Sequence, residues 1–416
     1  MRILIATAGS RGDVVPYTGL GVRLRAAGHR VAIATHDRLA GLVTGPGLEF
    51  RPLSGDPHAL LASGAGRRLQ RAGPGVRGVP DFLRLGAGFV RSLGPDLARA
   101  AVDADLLLLT PVTAPLGYSV AQSRGIPSLG VFLQPVAPTA EFPPVVLGAP
   151  GLTRWGNRAA GALGERLGQL VYADASRRLR AELGLPPASV GRLQRAATAG
   201  GWPVLHGFSP TVVPRPPDWR PGLDVAGYWW PPPLPDWRPP AELAAFLAAG
   251  PPPVYVGFGS MVGHADLLGG LIAPALRRAG LRAVVQRGWA GLDPRPAGRD
   301  DILTVGEVPH EWLFPRMAAL VHHAGGGTTA AGLRAGTPAV PVPMLGDQPF
   351  WAARLVRSGV SPGVLPARRL GVPRLAAALV AATGDPAYAR RARSVAARLA
   401  GEDGVEPVLR AIDRLG

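Results

Sequence analysis

His323-Ala-Gly-Gly-Gly-Thr-Thr329, then the run Ala330–Ala335, then Pro341-Val-Pro-Met-Leu-Gly-Asp347-Gln348-Pro349 is the stretch whose reading decides this chain. An apolar strand, Ala319–His322, runs into a glycine turn. A helix follows, and then a second buried strand, Ala339–Val342. This is a βαβ unit, which implies a parallel sheet. Gly325, Gly326 and Gly327 let the turn expose its N–H groups, with Thr328 and Thr329 opening the helix. Free amides and the positive end of the helix dipole favour an anion there. His323 adds a hydrogen bond or a positive charge. Asp347 and Gln348 close the second strand with an acid beside an amide, a pair able to receive several hydroxyl groups. An anion site and a polyol site on one βαβ unit describe a nucleotide sugar.

Working outward, the 416 residues suffice for two domains of ordinary size, and 47% hydrophobic residues support real cores. There is no cysteine, so disulfides and thiol chemistry are excluded. Met1-Arg2 leads directly into Ile3–Ala6, an apolar run too short for a signal peptide. No stretch is long and apolar enough to span a bilayer, so the cytoplasm is the expected location. The formal net charge is +17, and all 45 basic residues are arginine. No basic run alternates with aromatics as strand-binding platforms do, so nucleic acid is not an expected partner. Oligomeric state is not legible.

A second βα series opens the chain. Residues 2–7 read as a strand, Asp13 to Ala27 as a helix closed by Gly28, and Arg30–Thr35 as the next strand. Leu106–Thr110 and Ser128–Leu133 read as further buried strands. Val254–Gly257, Val284–Gln286 and Ile302–Val305 start the later series. Between the halves, residues 216–250 are dense in Pro and Trp and read as an extended linker. The expected domains are 1–215, 251–385 and a helical tail at 386–416.

Four further motifs carry a family resemblance. Gly9-Ser10-Arg11-Gly12-Asp13 follows the first strand, and Gly257-Phe-Gly-Ser260-Met261 a mid-chain strand. Val308-Pro-His-Glu-Trp-Leu-Phe-Pro315 precedes the glycine turn, and Asp347-Gln348-Pro-Phe-Trp351 closes it. Together with the glycine motif they resemble family 1 glycosyltransferases, in the sterol 3-beta-glucosyltransferase-like and bacterial antibiotic branches. The resemblance implies an α/β fold of the GT-B type: two Rossmann-like domains with parallel sheets facing across a cleft. It also implies a last helix that crosses back to the N-terminal domain.

The residues alone leave several roles open. Asp13 is a candidate general base, because a carboxylate at the mouth of a parallel sheet can take a hydroxyl proton. Asp is equally a favoured N-cap, and Val14–Ala27 is the helix it would cap. The resemblance implies the base. His29 and His36 fit that role poorly. Ser260 sits in a glycine-flanked turn and can meet a leaving diphosphate or cap a helix. Trp289 can stack on a nucleobase or simply fill a rim. The resemblance places the base-reading backbone at Val308, the diphosphate on Ser260, His323, Gly325–Gly327 and Thr328, and the donor sugar on Asp347 and Gln348.

On the acceptor side, Ser10, Gln134 and Phe142 are the candidates. Gln134 and Phe142 belong to an irregular apolar loop whose continuation, residues 145–172, resembles an acceptor groove or forms an ordinary pair of helices. No metal or cofactor is expected. His322 and His323 lack ligands at helical spacing, and Asp103-Ala-Asp105 reads as a polar strand entry. The arginines of residues 67–99 read as a solvated face, with an anionic membrane surface as the alternative.

What the resemblance implies is inverting, metal-independent transfer of a hexose to a hydroxyl of an apolar small molecule, with UDP-glucose the favoured donor. A dTDP-sugar donor, C-glycosylation, a sugar-nucleotide 2-epimerase and a non-catalytic nucleotide-sugar-binding protein are the alternatives.

Overall fold

The computed structural model describes residues 1–72, 79–145, 151–234, 236–259, 261, 265–289, 291–294 and 300–415. The chain divides into two units, Met1–Pro233 with Glu402–Gly416, and Leu234–Gly401.

The first unit is built on seven parallel strands: β1 Arg2–Ala6, β2 Arg30–His36, β3 Glu49–Leu53, β4 Leu106–Leu109, β5 Ser128–Phe132, β6 Val204–His206 and β7 Leu223–Val225. Their order is β3-β2-β1-β4-β5-β6-β7. The central strands are near-continuous Ile, Leu, Val and Ala because helices cover both faces of a parallel sheet. One face packs on the helix Arg11–Ala26, through Val14, Leu20 and Leu24, and on Val408, Ala411 and Ile412 of the helix Glu406–Asp413. The other face packs on Val90, Leu93 and Leu97, and on Val171, Ala175 and Leu179 of the long helix Arg154–Glu182. Residues 145–172 thus pass largely into one helix of 29 residues and not a helix pair.

The second unit has five parallel strands: β8 Val254–Gly257, β9 Ala283–Gln286, β10 Ile302–Val305, β11 Leu320–His322 and β12 Ala339–Pro341. Their order is β10-β9-β8-β11-β12. Val256, Val285, Val321 and Val340 bury one face; Tyr255, Val284 and Leu320 bury the other.

In both sheets the order reverses beside the first strand of the series, between β1 and β4 and between β8 and β11. Loops leaving the carboxyl ends of adjacent strands diverge there, to opposite faces, and leave a crevice. That topology places the loops after β1, β8 and β11 where ligands bind.

The segment 216–250 is not an extended linker. β7 forms a sheet edge, and Trp229 is 2% exposed, in contact with the first unit's core. Its indole N–H donates to the Gly404 carbonyl at 2.8 Å. Ala241–Ala248 is a helix that buries Leu243 in the second unit. A three-residue strand has no readable period, and tryptophans among prolines supplied core mass that composition alone could not place. The same shortness hid β6, while Pro52 disguised β3, a sheet edge where proline is tolerated.

Candidate active site

In the first unit, β1 ends at Ala6 and the chain turns through Gly9 into the helix Arg11–Ala26. The N-cap of that helix is Ser10, not Asp13. Asp13 lies one turn in and reaches back: the Ser10 N–H donates to its Oδ2 at 2.8 Å, and the Ser10 hydroxyl donates to the same oxygen at 3.0 Å. The Gln134 side chain is near enough to help lower this carboxylate's pKa. Ser10, Asp13 and Gln134 therefore lie together, and Ser10 orients the candidate base. Asp13 is half-buried. Loss of water raises its pKa above the usual 3.8, against the lowering pull of Ser10 and Gln134. A carboxylate with a raised pKa is a better proton acceptor. Phe142 lies elsewhere in character: it is 6% exposed and packs as a buried side chain.

Gly9 is obligatory in this turn. Its φ of +148° is one that L side chains rarely adopt, and an added Cβ would lie 2.4 Å from Asp13 Oδ2.

The role that sequence reading missed is that of His36, which it weighed only as a base. His36 ends β2, is fully buried, and accepts the Gly9 N–H on Nε2 at 3.2 Å. Its Nδ1 lies 3.2 Å from the Leu53 carbonyl, so Nδ1 carries the hydrogen and donates. Burial lowers its pKa, leaving the ring neutral. With both nitrogens tied to backbone, His36 is no base; it pins the turn that presents Asp13. Its position at a strand end was the only signal in the sequence.

In the second unit, β11 ends at fully buried His322, whose Nδ1 accepts the Ala324 N–H at 3.1 Å. Ala324 has φ +62°, the one non-glycine residue with positive φ among the described residues. Such strain persists where the surroundings hold it and clusters at functional turns. The chain then enters the helix Gly326–Ala335 with Gly325 as N-cap. The helix begins earlier than the threonines, so Gly326, Gly327 and Thr328 contribute the first-turn amides that no helical carbonyl satisfies.

The His323 ring lies against two glycines. An added Cβ would come within 2.5 Å of its Nε2 at Gly325 and 3.0 Å of its Cε1 at Gly259. Burial lowers the His323 pKa to about 4, so near neutrality it offers a hydrogen bond and not a charge. Its Nδ1 is buried with no partner. The Gly259 carbonyl accepts the Trp289 N–H at 2.9 Å, so the loops after β8, β9 and β11 converge. Ser260 lies outside the described residues. Val308 buries its side chain with Leu313 and Phe314 on the opposite face, which leaves its backbone as the group it can offer.

Asp347 and Gln348 divide their roles. Gln348 is 6% exposed; its Oε1 accepts the N–H groups of Met344 at 2.8 Å and Leu345 at 3.1 Å. Its amide carbonyl thus shapes the turn. A buried side chain that satisfies two loop amides has little freedom to turn outward. Asp347 is half-buried, with Oδ2 accepting the Trp351 indole N–H at 2.8 Å.

The Asp103-Ala-Asp105 pattern is occupied internally. Asp103 pairs with Arg51, and Asp105 with Arg2 at 2.8 Å. Among residues 67–99, Arg68 pairs with Asp81 at 3.0 Å, and Arg99 pairs with Asp96. Arg77 lies outside the described residues, as does the Arg71 side chain. No described helix is long and apolar enough to cross a membrane.

Residues 3–92 match the glycosyltransferase family 28 N-terminal domain, and residues 296–412 match the erythromycin biosynthesis protein CIII-like C-terminal domain. The chain is 36% identical over 425 residues to O-mycaminosyltylonolide 6-deoxyallosyltransferase of Streptomyces fradiae, covering 98% of this chain and 95% of that protein. It is 35% identical over 426 residues to a sterol 3-beta-glucosyltransferase of Arabidopsis thaliana, covering 99% of this chain but only 65% of the plant protein's length. The crystal structure of the glycotransferase of kitacinnamycin shares the fold, with a TM-score of 0.70 at 20% identity over 100% of this chain and 98% of that one. The two parallel α/β units have the GT-B fold, and the family match and curated relatives make the chain a glycosyltransferase. This chain belongs to the family that contains the sterol 3-beta-glucosyltransferases and the antibiotic glycosyltransferases.

Proposed function

We propose that this glycosyltransferase transfers a hexose, glucose from UDP-glucose, to a hydroxyl of an apolar small molecule such as a sterol or polyketide, with inversion and without a metal. The observation that carries the reading is the assembly in the second unit of an unsatisfied helix N-terminus, the His323 ring and the Asp347 carboxylate on neighbouring loops. The first-turn amides and the imidazole suit a diphosphate, and the carboxylate suits sugar hydroxyls.

In this reading the acceptor hydroxyl gives its proton to Asp13 as its oxygen bonds to the anomeric carbon of the donor. The bond to the diphosphate oxygen breaks on the opposite face, and the electron pair leaves with the nucleotide. Negative charge growing on the diphosphate meets the amides of Gly326, Gly327 and Thr328, fixed before the reaction begins. Asp13 needs its raised pKa; Ser10 holds it in place, and His36 fixes the Gly9 turn beside it.

A dTDP-deoxysugar donor is the second reading. It rests on the Streptomyces relative, named a 6-deoxyallosyltransferase and matched over almost its full length. Contact with an anionic membrane is proposed on the arginines of residues 67–99, though the pairs described above weaken it. A thermal-shift screen against UDP, dTDP, GDP and their glucose forms, followed by transfer assays with sterol and polyketide acceptors in the presence of chelator, tests the whole. Stabilisation by dTDP over UDP moves the protein to the second reading, and no shift with any nucleotide overturns both.

A further inference from the structure

Asp347 occupies an N-cap yet does not cap. It precedes the helix Gln348–Arg357, and its side chain accepts no first-turn N–H. Elsewhere in the chain Asp does what the position favours: Asp56 accepts the His58 N–H and Asp385 the Ala387 N–H, both at 2.8 Å. At Asp347 the carboxylate is instead turned to the Trp351 indole, 2.8 Å away. Trp351 is 1% exposed, so a buried N–H requires this partner. The same indole edge lies beneath the phosphate turn: a Cβ added at Gly326 would sit 3.2 Å from Trp351 Nε1. One rigid ring therefore touches both the helix N-terminus and the acid.

We propose that Trp351 is a positioning residue for the donor: its indole N–H aims the Asp347 carboxylate at the sugar and sets that carboxylate's distance from the diphosphate cradle at Gly326. The role deepens, and rests on, the reading of Asp347 as the sugar ligand. A planar two-ring side chain locked by packing fixes both contacts at once, which a flexible donor such as Gln or Lys would not. The consequence is selectivity. With the carboxylate fixed, a hexose with one inverted hydroxyl loses its hydrogen bond; with the carboxylate released to rotate, it regains one.

The test uses the full chain and Trp351→Phe, which keeps an aromatic ring and removes the N–H. UDP and UDP-glucose, and dTDP and dTDP-glucose, are titrated calorimetrically, and transfer is assayed with UDP-glucose and UDP-galactose. Affinity for the free nucleotide stays within about twofold, while the extra affinity conferred by glucose falls roughly tenfold, as one charge-assisted hydrogen bond implies. The preference for glucose over galactose narrows in parallel. Trp351→Phe in an Asp347→Ala background adds no further loss of sugar-dependent affinity, because the two act as one unit. Equal losses for nucleotide and nucleotide sugar would make Trp351 a prop for the phosphate turn alone and overturn the proposal, as would unchanged discrimination. If Asp347→Ala itself leaves the sugar's contribution intact, the underlying reading of Asp347 is what fails.

Discussion

The Ser10 backbone N–H and the Ser10 hydroxyl both donate to the same oxygen of Asp13, at 2.8 and 3.0 Å. One residue thus holds the candidate base in its rotamer and opposes the rise in its pKa that burial causes. Asp13→Asn keeps the shape and removes the proton acceptor. Turnover should fall by roughly a thousandfold or more, within the range attributed to general bases, with nucleotide affinity unchanged. Near-normal turnover would remove Asp13 from the mechanism.

The acid limb of kcat should lie above the ordinary carboxylate range, because Asp13 must be ionised and its pKa is raised. Ser10→Ala removes a donor that favours the ionised form. The limb should therefore move to still higher pH, and a pH profile of the variant reads the shift directly.

His36 holds the Gly9 N–H and the Leu53 carbonyl together. His36→Phe fills the space without either hydrogen bond and should lower kcat roughly tenfold, leaving nucleotide affinity untouched. His36→Gln, which restores an acceptor and a donor, should recover part of the loss. Equal failure of both variants would indicate a packing role only.

Gly9→Ala should be worse than either. The backbone angle costs about 1 to 3 kcal/mol, and the methyl group collides with the Asp13 carboxylate. Loss of activity accompanied by a lower melting temperature is the expected pair of results.

Buried histidines should make the fold sensitive to acid. Burial lowers the pKa of His206 and His323 to about 4 and that of His322 to about 3, against 6.5 when unfolded. Below 6.5 the unfolded chain takes up protons that the folded chain refuses, so stability falls as pH drops from 6.5 toward 4. Each group contributes up to about 1.4 kcal/mol per pH unit across that window. Denaturant melts between pH 7 and 4.5 measure the slope.

The local arrangement of the candidate site was legible because phosphate recognition by a helix N-terminus is nearly a one-dimensional device. A strand, three glycines and a helix specify it within a few residues, although the helix opens at Gly326, two residues before the threonines. Long apolar strands such as Leu106–Leu109 were legible for the same reason: a buried parallel strand announces itself in composition. Other features depend on residues distant in sequence. His36 matters only because β2 lies beside β1, and Gln134 only because the loop after β5 returns to Asp13. Trp351 gains its place from Gly326, on another helix. Trp229 read as linker because nothing nearby shows that Gly404 will cover it. By itself, then, the sequence determined the class of fold and the glycine turn that opens the helix Gly326–Ala335, and it made Asp13 a candidate base. Only the tertiary structure decided which side chains hold those groups in place, because hydrogen bonds and packing between remote segments leave no periodic trace along the chain.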